Sequence, residues 1–175
     1  MSDVPEGYAT RAGTLKDCPK LPEIELAAAE MFRPLNLVDF ENGPHVVSLE
    51  YLKQQCSENL LWVAVQDEVA VGFVVADVRG DDFYIAELDV HPDHGRKGLG
   101  AALMQAACDA AFAGGFARVT LNTFRDVAWN APFYARLGFA EIAEADWKPW
   151  MHDLAKRMTG EGLDLANRVF MELRR

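Results

Sequence analysis

Three apolar, β-branched-rich runs crowd into residues 61–90, broken only by Asp67-Glu68 and by Gly80-Asp81-Asp82. Breaks this short leave no room for a crossover helix, so neighbouring runs must pair antiparallel as hairpins. The spacing predicts strands over 61–66, 69–78 and 83–90. That meander constrains the fold more than any other part of the chain.

The periodicity then changes. Over 98–112, Leu99, Leu103, Ala106 and Ala110 share one helical stripe, and Gly114-Gly115 ends it. A strand is expected over 118–122, with Val119 and Leu121 on one side, and a short helix over 130–137. Asn130 stands at the cap of that helix, Pro132 in its first turn and Gly138 at C′. Residues 139–143 and 168–173 read as further strands. Ahead of the meander, 8–14 reads as a first strand. Residues 15–32 read as a helix with Ile24, Ala27, Ala28 and Met31 at helical spacing, 33–44 as a loop, and Ser48 caps a helix running to about 59. The expected class is mixed α/β (α+β): a mostly antiparallel sheet of about six to seven strands with flanking helices.

With 175 residues, half of them hydrophobic, the chain suits one domain over 1–175. Cys18, Cys56 and Cys108 lack the spacing of a disulfide framework or a zinc site. The net charge of −10 comes with no basic face, which argues against nucleic-acid binding and favours cationic partners such as amines. No secretory signal and no bilayer-length apolar run is visible, so the expected location is the cytoplasm and no membrane partner is expected.

The most informative stretch runs from Ile85 to Gly100, a strand entering a glycine-rich turn that opens a helix. Helix N-termini leave backbone N–H groups unpaired and carry partial positive charge. Gly95, Gly98 and Gly100 permit close approach of an anion, and Arg96 and Lys97 add charge, so a phosphate or pyrophosphate is the expected ligand. The Walker and dinucleotide fingerprints are both missing.

Here the chain resembles the GNAT superfamily of acetyl-CoA-dependent N-acetyltransferases. Val90-His-Pro92 followed by Gly95-Arg-Lys-Gly98-Leu-Gly100 is similar to the family's V-x-P and [QR]-x-x-G-x-[GA] signature, with Gly95 at the [QR] position and the arginine displaced to Arg96. Trp129-Asn-Ala-Pro-Phe-Tyr-Ala-Arg-Leu-Gly-Phe139 resembles its second block. The resemblance covers 61–139 closely and the N-terminal part by element order only.

What the resemblance implies is a GNAT-like fold and one N-acetyltransferase domain, with acetyl-CoA as co-substrate and a small-molecule amine as acceptor. The amine would attack the thioester directly, with no metal. Leu88, Asp89 and Val90 would offer backbone groups to the pantetheine arm, and Gly95, Arg96, Lys97, Gly98, Leu99 and Gly100 would hold the pyrophosphate. Asn130 reads either as a further cofactor contact or as a helix cap. Tyr134 matches the tyrosine that protonates the departing sulfur; the plainer reading is a buried tyrosine beside Phe133. Glu87 is the choice for accepting the amine proton; the alternative is a carboxylate that binds ammonium or faces solvent. His91 and His94 read as polar residues of a proline turn, not as metal ligands. Trp147, Trp150, Leu154 and Met158 lie at helical spacing, either as an apolar stripe packed on the domain or a partner subunit, or as a lid over the acceptor. Relatives are often dimers, so a homodimer is admitted. A protein N-terminus or lysine as acceptor, or a non-catalytic acyl-CoA sensor, are the rival functions.

Overall fold

The computed structural model describes residues 4–37, 40–41, 46–160 and 165–175. It contains a seven-stranded sheet in the order β1-β2-β3-β4-β5-β7-β6. The strands are β1 (Tyr8–Ala12), β2 (Leu61–Gln66), β3 (Val69–Arg79), β4 (Asp82–Val90), β5 (Arg118–Phe124), β6 (Ala140–Glu141) and β7 (Arg168–Arg174). The helices are α1 (Leu21–Ala29), α2 (Leu49–Ser57), α3 (Leu99–Ala113), α4 (Ala131–Arg136) and α5 (Pro149–Gly160). The expected mixed α/β class with a mostly antiparallel sheet is what forms. The described residues group into two compact units, Met1–Asp77 with Ala86–Ala110, and Val78–Ile85 with Ala111–Arg175.

In the first unit β1 pairs antiparallel with β2, Tyr8 opposite Gln66, and β2 antiparallel with β3. The Asp67-Glu68 turn has positive φ at both residues, 48° and 64°, the hairpin geometry that glycine and asparagine normally supply. Register shifts by one residue between Ala64 and Val65, a bulge that leaves Val71 O to accept from His91 N at 2.8 Å. The core packs Leu21 and Ile24 of α1 and Leu52 of α2 against Leu61, Val63, Phe73 and Val75. Ser48 caps α2 by accepting from Tyr51 N at 3.1 Å, and Asn59, with φ 59°, stands just beyond the end of the helix.

The expected helix over 15–32 is in fact three pieces: a 3-10 turn at Cys18–Lys20, α1, and a second 3-10 turn at Glu30–Leu35. Asp17 ties down the entry, accepting from Thr14 N and Oγ1 at 2.8 Å each and from Arg11. Because 3-10 turns wind at 3.0 residues, the expected apolar stripe slips out of register, and Met31 lies 41% exposed where the α-helical period would bury it. Of the loop expected over 33–44, residues 38–39 and 42–44 lie outside the described residues.

In the second unit β4 pairs parallel with β5 over Phe83↔Val119 to Ile85↔Leu121, and β5 pairs antiparallel with β7 along its whole length. Helix α5 turns Met151 and Ala155 onto Ile142 and Phe170, flanked by Trp147, Trp150 and Leu154, so these three residues of the expected stripe pack within their own unit. Residues 161–164, inside the same segment, lie outside the described residues.

Candidate active site

The glycine-rich stretch leaves β4 at Val90, makes a 3-10 turn over Pro92–His94 and enters α3. His91 caps the turn, its Nδ1 accepting from Asp93 N at 3.3 Å, and Tyr8 Oη lies 2.9 Å from His94 Nδ1. Those contacts give both histidines structural work in the turn. Burial, then Lys97, lowers the His94 pKa.

Arg96 (φ 58°) and Gly98 (φ 76°) both take left-handed backbone, which turns successive amides toward one side. The first α3 amide with a protein acceptor is Ala102, bonded to Gly98 O at 3.0 Å; among the described residues those of 96–101 have none. A Cβ built on Gly98 meets nothing within 4 Å, so the space beside it is open. The basic side chains divide. Arg96 is exposed, whereas Lys97 Nζ turns back to donate to Asp93 O at 3.2 Å and stands 5.4 Å from the Tyr8 ring.

On β4, strand alternation puts Glu87 and Asp89 on one face. There they meet Glu25 of α1: one carboxylate oxygen of each lies within 4.8 Å of the others. Glu25 is 6% exposed and accepts from Val47 N at 2.9 Å. Burial, reinforced by Glu87, pushes its carboxyl up to about 8. Asp89 Oδ2 is shut off from solvent with no hydrogen-bond partner. Burial first, then Glu87 and Glu25, holds the Asp89 carboxyl well above the usual range. The backbone here is also crowded, since a Cβ on Gly72 would meet Asp89 O at 3.0 Å and Val90 Cγ2 at 3.1 Å.

Sequence reading missed Glu25. A signal was present: Leu21, Ile24, Glu25 and Ala28 are all buried at i, i+3, i+4 and i+7, so an acid holds a core position of the helix. The same helix leaves Leu26 44% exposed.

In the second unit, Tyr134 of α4 is buried, its ring edge-on to Phe133 at 5.1 Å and to Phe139 at 5.9 Å. Gly138, at φ 94°, ends α4 as expected. Asn130 stands at the N-cap of α4 as expected, but the expectation that its side chain does the capping is corrected. It makes no cap bond; Nδ2 donates to Thr123 Oγ1 at 2.8 Å instead, and only the backbone carbonyl receives Tyr134 N, at 3.0 Å. Pulled toward β5, the amide leaves Oδ1 buried without a donor.

Comparison with known proteins bears on this arrangement. Over 96% of its length this chain is similar to the PaiA N-acetyltransferase of Thermoplasma acidophilum, solved in complex with coenzyme A, covering 99% of that chain with 16% identity and a TM-score of 0.71. It is likewise similar to the ribosomal-protein-S18-alanine N-acetyltransferase of Escherichia coli, with 21% identity, a TM-score of 0.67 and 95% and 93% of the two chains covered. For Ard1 of Thermoplasma volcanium the identity is 18%, the TM-score 0.66 and the coverage 96% and 97%. These likenesses show the fold. The pattern of the acetyltransferase (GNAT) family matches residues 28–139, from within α1 through the glycine-rich turn to the close of α4, and the chain therefore belongs to that family.

Proposed function

We propose that the protein moves an acetyl group from acetyl-CoA to a primary amine of a small molecule. The observation that carries this reading is the run of unpaired amides over 96–101 at the mouth of a fifteen-residue helix. Such a terminus suits a diphosphate, because its donors need an acceptor and its dipole favours negative charge. Arg96, Lys97, Gly98, Leu99 and Gly100 hold the pyrophosphate through backbone N–H groups, with Arg96 supplying charge from its exposed side chain; Gly95, whose own N–H donates to Pro92 O at 3.0 Å, serves the site by opening the turn without a side chain. Leu88, Asp89 and Val90 offer main-chain groups to the pantetheine arm, and Asn130 Oδ1, buried without a donor, accepts from one of its amides.

Bound acetyl-CoA supplies the activated acyl group. The protein's own residues manage the protons. An alkylamine is protonated near neutrality, at a pKa of about 10 by analogy with lysine, and must become neutral to attack. Glu87 takes that proton. Backbone N–H groups around residues 88–90 polarise the thioester carbonyl. Tyr134 gives a proton to the departing sulfur. No metal enters this scheme. No helix among the described residues is long and apolar enough to cross a membrane. The cytoplasm is the proposed compartment, and a homodimer, readable by light scattering, is the proposed assembly.

Calorimetric titration of coenzyme A tests the reading, using the wild type, Gly98→Ala and Gly98→Glu. Both substitutions meet open space but impose about 1–2 kcal/mol of left-handed strain, so Gly98→Ala isolates that cost. Gly98→Glu is expected to abolish binding while Gly98→Ala keeps a measurable part of it. Equal affinity in wild type and Gly98→Glu would remove the pyrophosphate assignment. A thiol-release screen over amines and peptides then separates small-molecule acceptors, protein acceptors and a sensor that binds without turnover.

A further inference from the structure

Glu25 comes from α1, and Glu87 and Asp89 come from β4, yet their oxygens gather within 4.8 Å. Three carboxylates this close do not all ionise, because each added charge is repelled by the others in a poorly solvated space. The elements packed around them offer Glu25 little relief. Among the described residues, the segment before α2 contributes the Val47 amide, and β3 contributes Gly72, which has no side chain. Among the described residues, the charged groups that act on Glu25 and Asp89 are carboxylates: Glu87 on both, and Glu25 on Asp89.

Asp89 Oδ2 is the second, independent sign. A buried carboxylate oxygen without a donor costs free energy unless it carries a proton or faces one. Asp89 belongs to a group of three carboxylates within 4.8 Å, and a proton shared among them would supply the partner that Oδ2 lacks.

We propose that Glu25, Glu87 and Asp89 act as one proton-accepting group, with Glu25 the positioning residue that raises the proton affinity of Glu87. The inference rests on the transferase reading above and extends it. The N–H bond of the acceptor ammonium breaks and its electron pair stays on nitrogen. The proton binds a carboxylate oxygen of the cluster and leaves to water after turnover. The arrangement suits an acceptor that arrives as a cation, since the resting cluster is acidic and its proton affinity lies closer to that of an amine than a lone glutamate's would. The elevated Glu25 carboxyl, at about 8, agrees with this.

The test uses the full chain with 13C-labelled Glu and Asp carboxyls, titrated by NMR from pH 4 to 10 in wild type, Glu25→Gln and Glu25→Asp. One wild-type carboxyl is expected to titrate near 8; the signal disappears in Glu25→Gln and returns in Glu25→Asp. A wild-type spectrum in which every carboxyl titrates below about 6, the ordinary range and its margin, overturns the proposal without any variant. The second arm measures thiol release from acetyl-CoA with a panel of primary amines. In Glu25→Gln the acid limb of kcat/KM is expected to move down by at least about one pH unit while coenzyme A affinity is unchanged, because removing a neighbouring carboxylate lowers the base's pKa. Turnover with an unshifted limb refutes the role of Glu25 and leaves the transferase reading standing. Thiol release from no amine sinks the transferase reading, with the NMR midpoint deciding separately whether the carboxylates hold a proton.

Discussion

Replacing Arg118 by methionine should destabilise the protein by an amount the structure lets us bracket. Arg118 is 7% exposed and Asp82 0%, and the guanidinium reaches Asp82 Oδ1 at 2.5 Å, Asp82 Oδ2 at 3.0 Å and Glu172 Oε2 at 2.6 Å. Removing one partner of a buried pair costs about 3–5 kcal/mol, mostly by stranding the other charge. Asp82 would retain Lys148 Nζ at 2.9 Å and Trp150 Nε1 at 2.9 Å, which lowers the expected loss to about 2–3 kcal/mol. Methionine keeps an unbranched apolar stem, so lost packing adds little. For a chain of this size that is a fall in Tm of about 4–12 °C. Thermal unfolding followed by circular dichroism reads it.

The pH dependence of that loss sharpens the argument. Burial alone would push the Asp82 carboxyl up, but donors from Arg118, Lys148 and Trp150 outweigh it and the group sits below its ordinary value. Stability from a lowered carboxylate is present above the unfolded pKa and disappears as pH falls through the folded one. The gap between wild type and Arg118→Met should therefore narrow as pH drops toward 3. The double variant Asp82→Asn/Arg118→Met should recover part of the loss, since no charge is left stranded. A Tm for Arg118→Met within about 1 °C of wild type at pH 7, or a gap that widens in acid, would refute the reasoning.

Three other outcomes are expected. Tyr134→Phe should lower kcat more than it weakens coenzyme A binding, and the reverse pattern in steady-state kinetics and calorimetry would leave Tyr134 a binding residue only. Glu68→Gly relieves left-handed strain at φ 64° and should stabilise the hairpin by about 0.5–1 kcal/mol, visible as a raised urea midpoint; an unchanged midpoint would mean the turn is not strained. Glu25 is raised above its unfolded value, so the folded state binds the extra proton and stability should decline as pH rises from about 4.5 to about 8. Glu25→Gln should flatten that part of the urea-denaturation profile.

Local signals carried much of this fold. The meander was legible because apolar, β-branched-rich runs joined by two or three polar residues have one way to pair, and observed β2 coincides with the reading. The glycine turn before α3 was legible because backbone freedom at a helix start is written in residue type. The 3-10 turns on either side of α1 were not, since Pro19 and Pro34 mark interruptions without saying how the chain winds through them. Nor was the Asn130 bond to Thr123, because capping and cross-strand bonding use the same amide and only the position of β5 chooses between them.

The sequence by itself determined the antiparallel block, the glycine-rich helix start and the family resemblance, all of them short-range patterns. Only the tertiary structure decided which carboxylates keep company. Glu25 lies 62 positions from Glu87 along the chain, and no local periodicity predicts that α1 turns this one acid inward against β4. Proton affinity depends on distance and solvent access in three dimensions, so it is settled where the chain folds back on itself.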